Sequence, residues 1–140
     1  MPFELSDLNY LAIVVGVVLF MVGGYLWYMV WAKPWMAETG LTKEKIAGYK
    51  GTSKAWMPYV VAVVCAAIIT LSLAALIERL GSTEIQGGIK VGALVGVGIV
   101  ATTIMTNYAF EYKSMRHWLI TAGYSVVMIM IVSVLLAVWQ

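Results

Sequence analysis

The sequence predicts an all-α membrane protein, an antiparallel bundle of four transmembrane helices, and three observations carry that prediction. Hydrophobic residues make up 62% of the chain and charged residues 11%, where a soluble domain has about 25% charged. The charges are also segregated: Leu8–Trp31, Ala55–Ile77, Val91–Phe110 and Trp118–Gln140 contain none, and each run exceeds the roughly 18 residues that signal a spanning helix. Finally, the runs are about two to three times longer than a barrel strand and lack its in/out alternation. In hydrocarbon an unpaired peptide group costs several kcal/mol, so helices are the remaining way across. A single membrane domain over residues 1–140 follows, with helices at about 8–31, 55–77, 91–110 and 118–139 and a polar connection at 32–54.

The first run keeps its place as a helix. The leading segment Met1–Asp7 carries Glu4 and Asp7 but no Lys or Arg, the opposite of a secretory signal. Gly16, Phe20, Gly23 and Trp27 recur along one side, where small residues let another backbone approach. Tyr25, Trp27, Tyr28, Trp31 and Trp35 crowd the far end, as amphipathic rings do at a headgroup interface.

The connection 32–54 holds five lysines against Glu38 and Glu44. Thr42 before Lys43-Glu44-Lys45 predicts a short surface helix with Thr42 as its N-cap. The second helix carries a ridge of small residues at Ala62, Ala66, Thr70 and Ala74. Glu78 and Arg79 end it, and the short turn Leu80–Gly87 makes the second and third helices antiparallel neighbours.

The third helix begins with glycines four apart (Gly88, Gly92, Gly96) and gathers Thr102, Thr103, Thr106 and Asn107 near its end, before Glu111, Lys113, Arg116 and His117. This combination predicts that the third helix is central, with the other three packed around it. The fourth is bracketed by Trp118 and Trp139, with Thr121, Gly123, Ser125 and Ser133 as its few non-apolar positions. Seven basic residues lie in the connections 32–54 and 111–117, against Arg79 and Lys90 on the other side. Loops rich in Lys and Arg stay cytoplasmic, which predicts an inner (plasma) membrane protein with both termini extracytoplasmic.

Several quoted segments carry a resemblance. Asn9-Tyr10-Leu11-Ala12-Ile13, Leu26-Trp27-Tyr28 with Trp35-Met36 and Gly40-Leu41-Thr42, Ala101-Thr102-Thr103 with Thr106-Asn107-Tyr108-Ala109-Phe110-Glu111, and Gly123-Tyr124 resemble domain of unknown function family 1761. These are small bacterial proteins expected to have four membrane helices. The resemblance extends over nearly the whole chain and implies the fold, but no activity.

The candidate site is the polar group Thr102, Thr103, Thr106, Asn107 and Glu111 with the neighbouring rings Tyr108, Trp27 and Tyr28. Thr103, Asn107 and Glu111 follow at i, i+4, and so do Thr102 and Thr106, which sets hydroxyl, amide and carboxylate groups along one side. Gly92 and Gly96 are expected to continue roughly that side. Contact between helices is the first reading: each Thr can bond back to the i−4 carbonyl, and Asn107 can tie two helices together for roughly 0.6–2 kcal/mol. A lipid or small-solute site is the second.

Nine rings at one boundary (Trp27, Tyr28, Trp31, Trp35, Trp56, Tyr59, Tyr108, Tyr112, Trp118) against Tyr10 and Trp139 at the other are explained first by interfacial anchoring, and second by a cage for a cation or headgroup.

Much is excluded. The single His117 and single Cys65 offer no metal-ligand spacing, and no disulfide can form within the chain. No nucleophile motif, phosphate loop or dinucleotide fingerprint occurs, so no catalytic residue and no cofactor is expected. Proton-coupled export of the small multidrug type needs a carboxylate deep in the first run, and there is none. A net charge of +2 does not suggest nucleic acid.

The expected partners are the bilayer and further copies of the chain, because the Gly/Ala ridges offer more close-packing surface than one bundle uses. The expected function is lipid or small-solute binding, or assembly through the third helix. A Thr/Asn-lined transporter or channel is the alternative, and a membrane-embedded enzyme the second alternative.

Overall fold

The computed structural model describes residues 4–140, so residues 1–3 of the leading segment lie outside the described residues. After a helical turn at Leu5–Asp7 come α1 (Tyr10–Val30), α2 (Ala32–Thr39), α3 (Lys43–Ala47), α4 (Ser53–Leu80), α5 (Ile85–Val95), a π-helical segment (Gly96–Ala101), α6 (Thr102–Phe110) and α7 (Met115–Val138). α5, the π segment and α6 form one continuous span, Ile85–Phe110. With α1, α4 and α7 it makes four helices long and apolar enough to cross a membrane. The fold is the predicted one: all-α, with four long apolar helices packed together.

Local chemistry sets the helix ends. Asn9 accepts the Ala12 N–H at 3.2 Å, Ser114 accepts the His117 N–H at 3.1 Å, and Thr42 accepts the Lys45 N–H at 3.1 Å in the capping role read from the sequence. Gly40 and Gly81 close α2 and α4 in the left-handed conformation, with φ of 73° and 62°, which glycine adopts without strain. α2 was not anticipated. Its proline, Pro34, lies in the first turn, where the missing N–H has no intrahelical partner to lose.

The fourth span, not the third, is the centre of the bundle. α7 packs on α1, on α4 and most extensively on α5, and it buries Ala122, Ile129, Val132, Ser133 and Ala137 almost completely. The expectation of a central third helix fails because its glycines at 88, 92 and 96 face one neighbour. A Cβ on Gly88 would stand 2.7 Å from Val134 Cα, one on Gly92 2.8 Å from Met130 Cα, and one on Gly96 3.3 Å from Val126 Cα. Backbone meets backbone along the α5–α7 seam, so the third span uses its small-residue face on a single partner. On the other side of α7, Gly16 of α1 nests against Thr70 of α4, whose Cγ2 would lie 2.7 Å from an added Cβ. Of the predicted second-helix ridge, Ala66, Thr70 and Ala74 lie inside the core, whereas Ala62 is exposed.

The π segment decides what the rest of the third span presents. A wider turn inserts one residue into the helical count, and one residue is about 100° of rotation. Gly92 and Gly96 therefore do not continue the face of Thr103 and Asn107, as a straight helix would have them do. The inward line passes instead from Gly96 to Ala101, both buried, and on to the half-buried Tyr108.

One further asymmetry bears on function. Every residue of α4 from Ser53 to Cys65 is exposed, whereas its second half is buried at Ala66, Thr70, Leu73, Ala74 and Ile77. The first half of this span leaves the bundle at the lysine-rich end, beside the 32–54 connection.

Candidate functional site

Side chains from α1, α2, α6 and α7 converge at the lysine-rich end, and their polar atoms are spent on one another. Trp27 Nε1 donates to Ile120 O at 2.9 Å and Trp118 Nε1 to Ala101 O at 2.9 Å. Tyr124 OH donates to Phe20 O at 2.8 Å and Tyr108 OH to Thr121 Oγ1 at 3.2 Å. Buried Tyr and Trp require such partners, and the bonds fasten α1, the π segment and α6 to α7, with α1 held twice. The Tyr28 ring stands edge-on to Trp35, centroids 5.8 Å apart, and 5.6 Å from Tyr124. Tyr108 lies 4.9 Å from the His117 ring. Of the nine rings assigned to an interfacial belt, Trp27, Tyr28, Trp35, Tyr108 and Trp118 thus turn inward, while Trp31, Trp56, Tyr59 and Tyr112 remain exposed.

The candidate residues divide into two groups. Trp27, Tyr28 and Tyr108 are gathered around α7. Thr102, Thr103, Thr106 and Asn107 lie together on the outer face of α6, all exposed. The hydroxyls bond back along their own helix: Thr102 to Gly98 O and Ile99 O, both 3.0 Å, Thr103 to Ile99 O at 2.6 Å, and Thr106 to Thr102 O at 3.1 Å. Among the described residues the exposed Asn107 amide has no hydrogen-bond partner.

Glu111 lies just past α6, paired with Lys113 at 2.7 Å, and Lys113 Nζ stands 4.4 Å over the Tyr108 ring. The Glu111 carboxylate favours the charged ammonium and raises the Lys113 pKa above the ordinary lysine value. His117 is buried, its ring against that of Tyr108. Among the described residues no three His, Cys, Asp or Glu side chains converge as metal ligands would.

Some participants carried no local signal. Glu38 of α2 accepts from Ser114 Oγ at 2.6 Å and lies 3.5 Å from Arg116 Nε, clamping α2 to the start of α7. Nothing near Glu38 in sequence points to that pairing. Thr121 and Tyr124 did leave a trace, as polar positions one helical turn apart in an apolar run.

Two recesses flank the bundle. One, of about 310 Å³, opens beside Trp27, Trp31 and Leu119 at the lysine-rich end. The other, of about 170 Å³, lies at the opposite end, where Asp7, Asn9, Glu78 and Trp139 meet.

Residues 11–137 match the family described as Protein of unknown function (DUF1761). No curated protein and no solved structure matches the chain.

Proposed function

The chain belongs to the DUF1761 family, and from that premise we propose that it works as a membrane-embedded assembly, in which copies associate through the outer face of α6. The observation that carries this reading is the outward Asn107 amide, exposed and without a partner among the described residues. An unpaired amide in hydrocarbon costs several kcal/mol, less near the boundary, and a second polar row is the partner that relieves it. The row is suited to self-pairing, since an isologous contact sets the same residues of both copies against each other. The exposed first half of α4 lies at the same membrane level and gives such a contact further surface. The orientation that fits this proposal puts the connections 32–54 and 111–117 in the cytoplasm of the cell, by their excess of Lys and Arg.

A conduit is the competing use of the same row, and the back-bonded hydroxyls favour a dry contact over it. The test is oligomeric state in lipid, by single-molecule photobleaching of the full chain at graded protein-to-lipid ratios. Wild type is expected to associate, and N107A to weaken association by about 3- to 30-fold, equivalent to roughly 0.6–2 kcal/mol. Monomers at every density, or association unchanged in N107A, would overturn the proposal. Labelling T103C by a water-soluble reagent, in a background where the exposed Cys65 is replaced by Ala, distinguishes the two uses. Protection supports the dry contact, and rapid modification in the assembled state supports the conduit.

A further inference from the structure

We propose that the cleft between the end of α1, the start of α2 and the first turns of α7 holds one anionic phospholipid, its phosphate on Arg116. The cleft, about 310 Å³, is walled by Trp27, Trp31, Pro34, Leu119 and Ile120, with Arg116 as the one charged lining residue. Its walls are set in advance. Trp27 Nε1 is held by Ile120 O, and its ring edge lies over Gly123, where an added Cβ would come within 3.0 Å of Cζ2.

With the indole N–H and the Ile120 carbonyl paired to each other, the wall offers its occupant apolar surface and little else. Only the guanidinium remains to bind charge. Arg116 Nε lies 3.5 Å from Glu38 Oε1, and among the described residues no hydrogen bond engages its two Nη atoms. Those donors form the fork that matches two oxygens of a phosphate.

Position and size select a lipid over a soluble anion. Trp31 and Leu119 are both exposed, so the recess opens sideways from the bundle at the level where α1 ends and lysines begin. That is the depth at which a phospholipid changes from acyl chain to phosphate. The volume is at the lower limit of small-molecule pockets, about 300–1,000 Å³. It takes the upper part of one acyl chain with its glycerol, and the remainder of the lipid stays in the bilayer.

The test uses the full chain, delipidated in detergent and titrated with phosphatidylglycerol or phosphatidylcholine under native mass spectrometry. Wild type is expected to bind one phosphatidylglycerol per protomer about tenfold more tightly than phosphatidylcholine, and R116Q to bind the two equally. E38Q separates headgroup recognition from the docking of α2: it loses the same ion pair but frees the guanidinium, and phosphatidylglycerol binding is expected to persist or strengthen. Equal binding of the two lipids by wild type, a preference that survives R116Q, or an E38Q that loses the preference as R116Q does would each overturn the proposal.

Discussion

Adding one methyl group at Gly88 probes the α5–α7 seam on which the placement of the third span depends. In Gly88→Ala the new Cβ would stand 2.7 Å from Val134 Cα, 2.9 Å from Ser133 O and 3.0 Å from Ala137 Cβ. Carbon atoms rest about 3.5–4.0 Å apart, so the two helices must separate by roughly 0.8 Å. The obstructing atoms are mainly backbone, and no rotamer change can relieve them. Overpacking of this kind costs about 1–3 kcal/mol, against which the better helix propensity of alanine returns at most about 1 kcal/mol.

A net loss of about 1–2 kcal/mol is therefore expected, read by circular dichroism as unfolding at lower SDS fraction in mixed micelles. Gly98 is the control. It is exposed, and a Cβ there would meet only Leu94 Cδ1 at 3.7 Å, an ordinary contact, so Gly98→Ala should be neutral or slightly stabilising. The double variant with Gly92→Ala should cost less than the sum of the single variants, since the second methyl enters a seam already forced apart. A Gly88→Ala protein as stable as wild type, or a Gly98→Ala that loses as much, would refute the close-contact argument.

Other expectations concern polar groups. Ser133 Oγ is buried with no partner among the described residues, so Ser133→Ala should stabilise the protein by about 1 kcal/mol in the same titration, because it removes an unmet desolvation penalty; destabilisation would mean that the hydroxyl has a partner. Tyr124→Phe deletes the 2.8 Å bond to Phe20 O and should cost about 0.5–1.5 kcal/mol, with faster amide exchange near the middle of α1; unchanged stability would mean that the bond contributes nothing. Glu111→Gln should lower the Lys113 pKa toward the ordinary lysine value, followed by NMR of 13C-methylated lysines. The sign follows from the carboxylate at 2.7 Å favouring the ammonium, and an unmoved titration would show that the pair does not persist in solution.

The spans were legible because their cause is local. A bilayer demands a sufficient run of uncharged residues with every peptide group paired internally, and both conditions can be read along a single strip of chain. The same holds for the Thr42 cap, whose hydroxyl and target N–H are three residues apart. It does not hold for α2, whose clamp pairs Glu38 with Ser114 and Arg116 on a helix distant in sequence.

The polar row of α6 shows where reading one helix at a time stops. Its composition was plain, as was its i, i+4 order, but its direction was not. The wider turn at Gly96–Ala101 rotates everything beyond it, so Thr103 and Asn107 look away from α7 while Tyr108 looks toward it.

Hydropathy thus specifies four apolar spans, since these depend only on neighbours along the chain and on the surrounding oil. Which face meets which partner is a property of the packed bundle. Helices in lipid are sorted by how closely their backbones can approach, and that is settled between two surfaces at once: Gly88 and Gly92 find their match in α7, closest to the Cα atoms of Val134 and Met130. With that contact made, α7 becomes the centre and Asn107 is left on the outside.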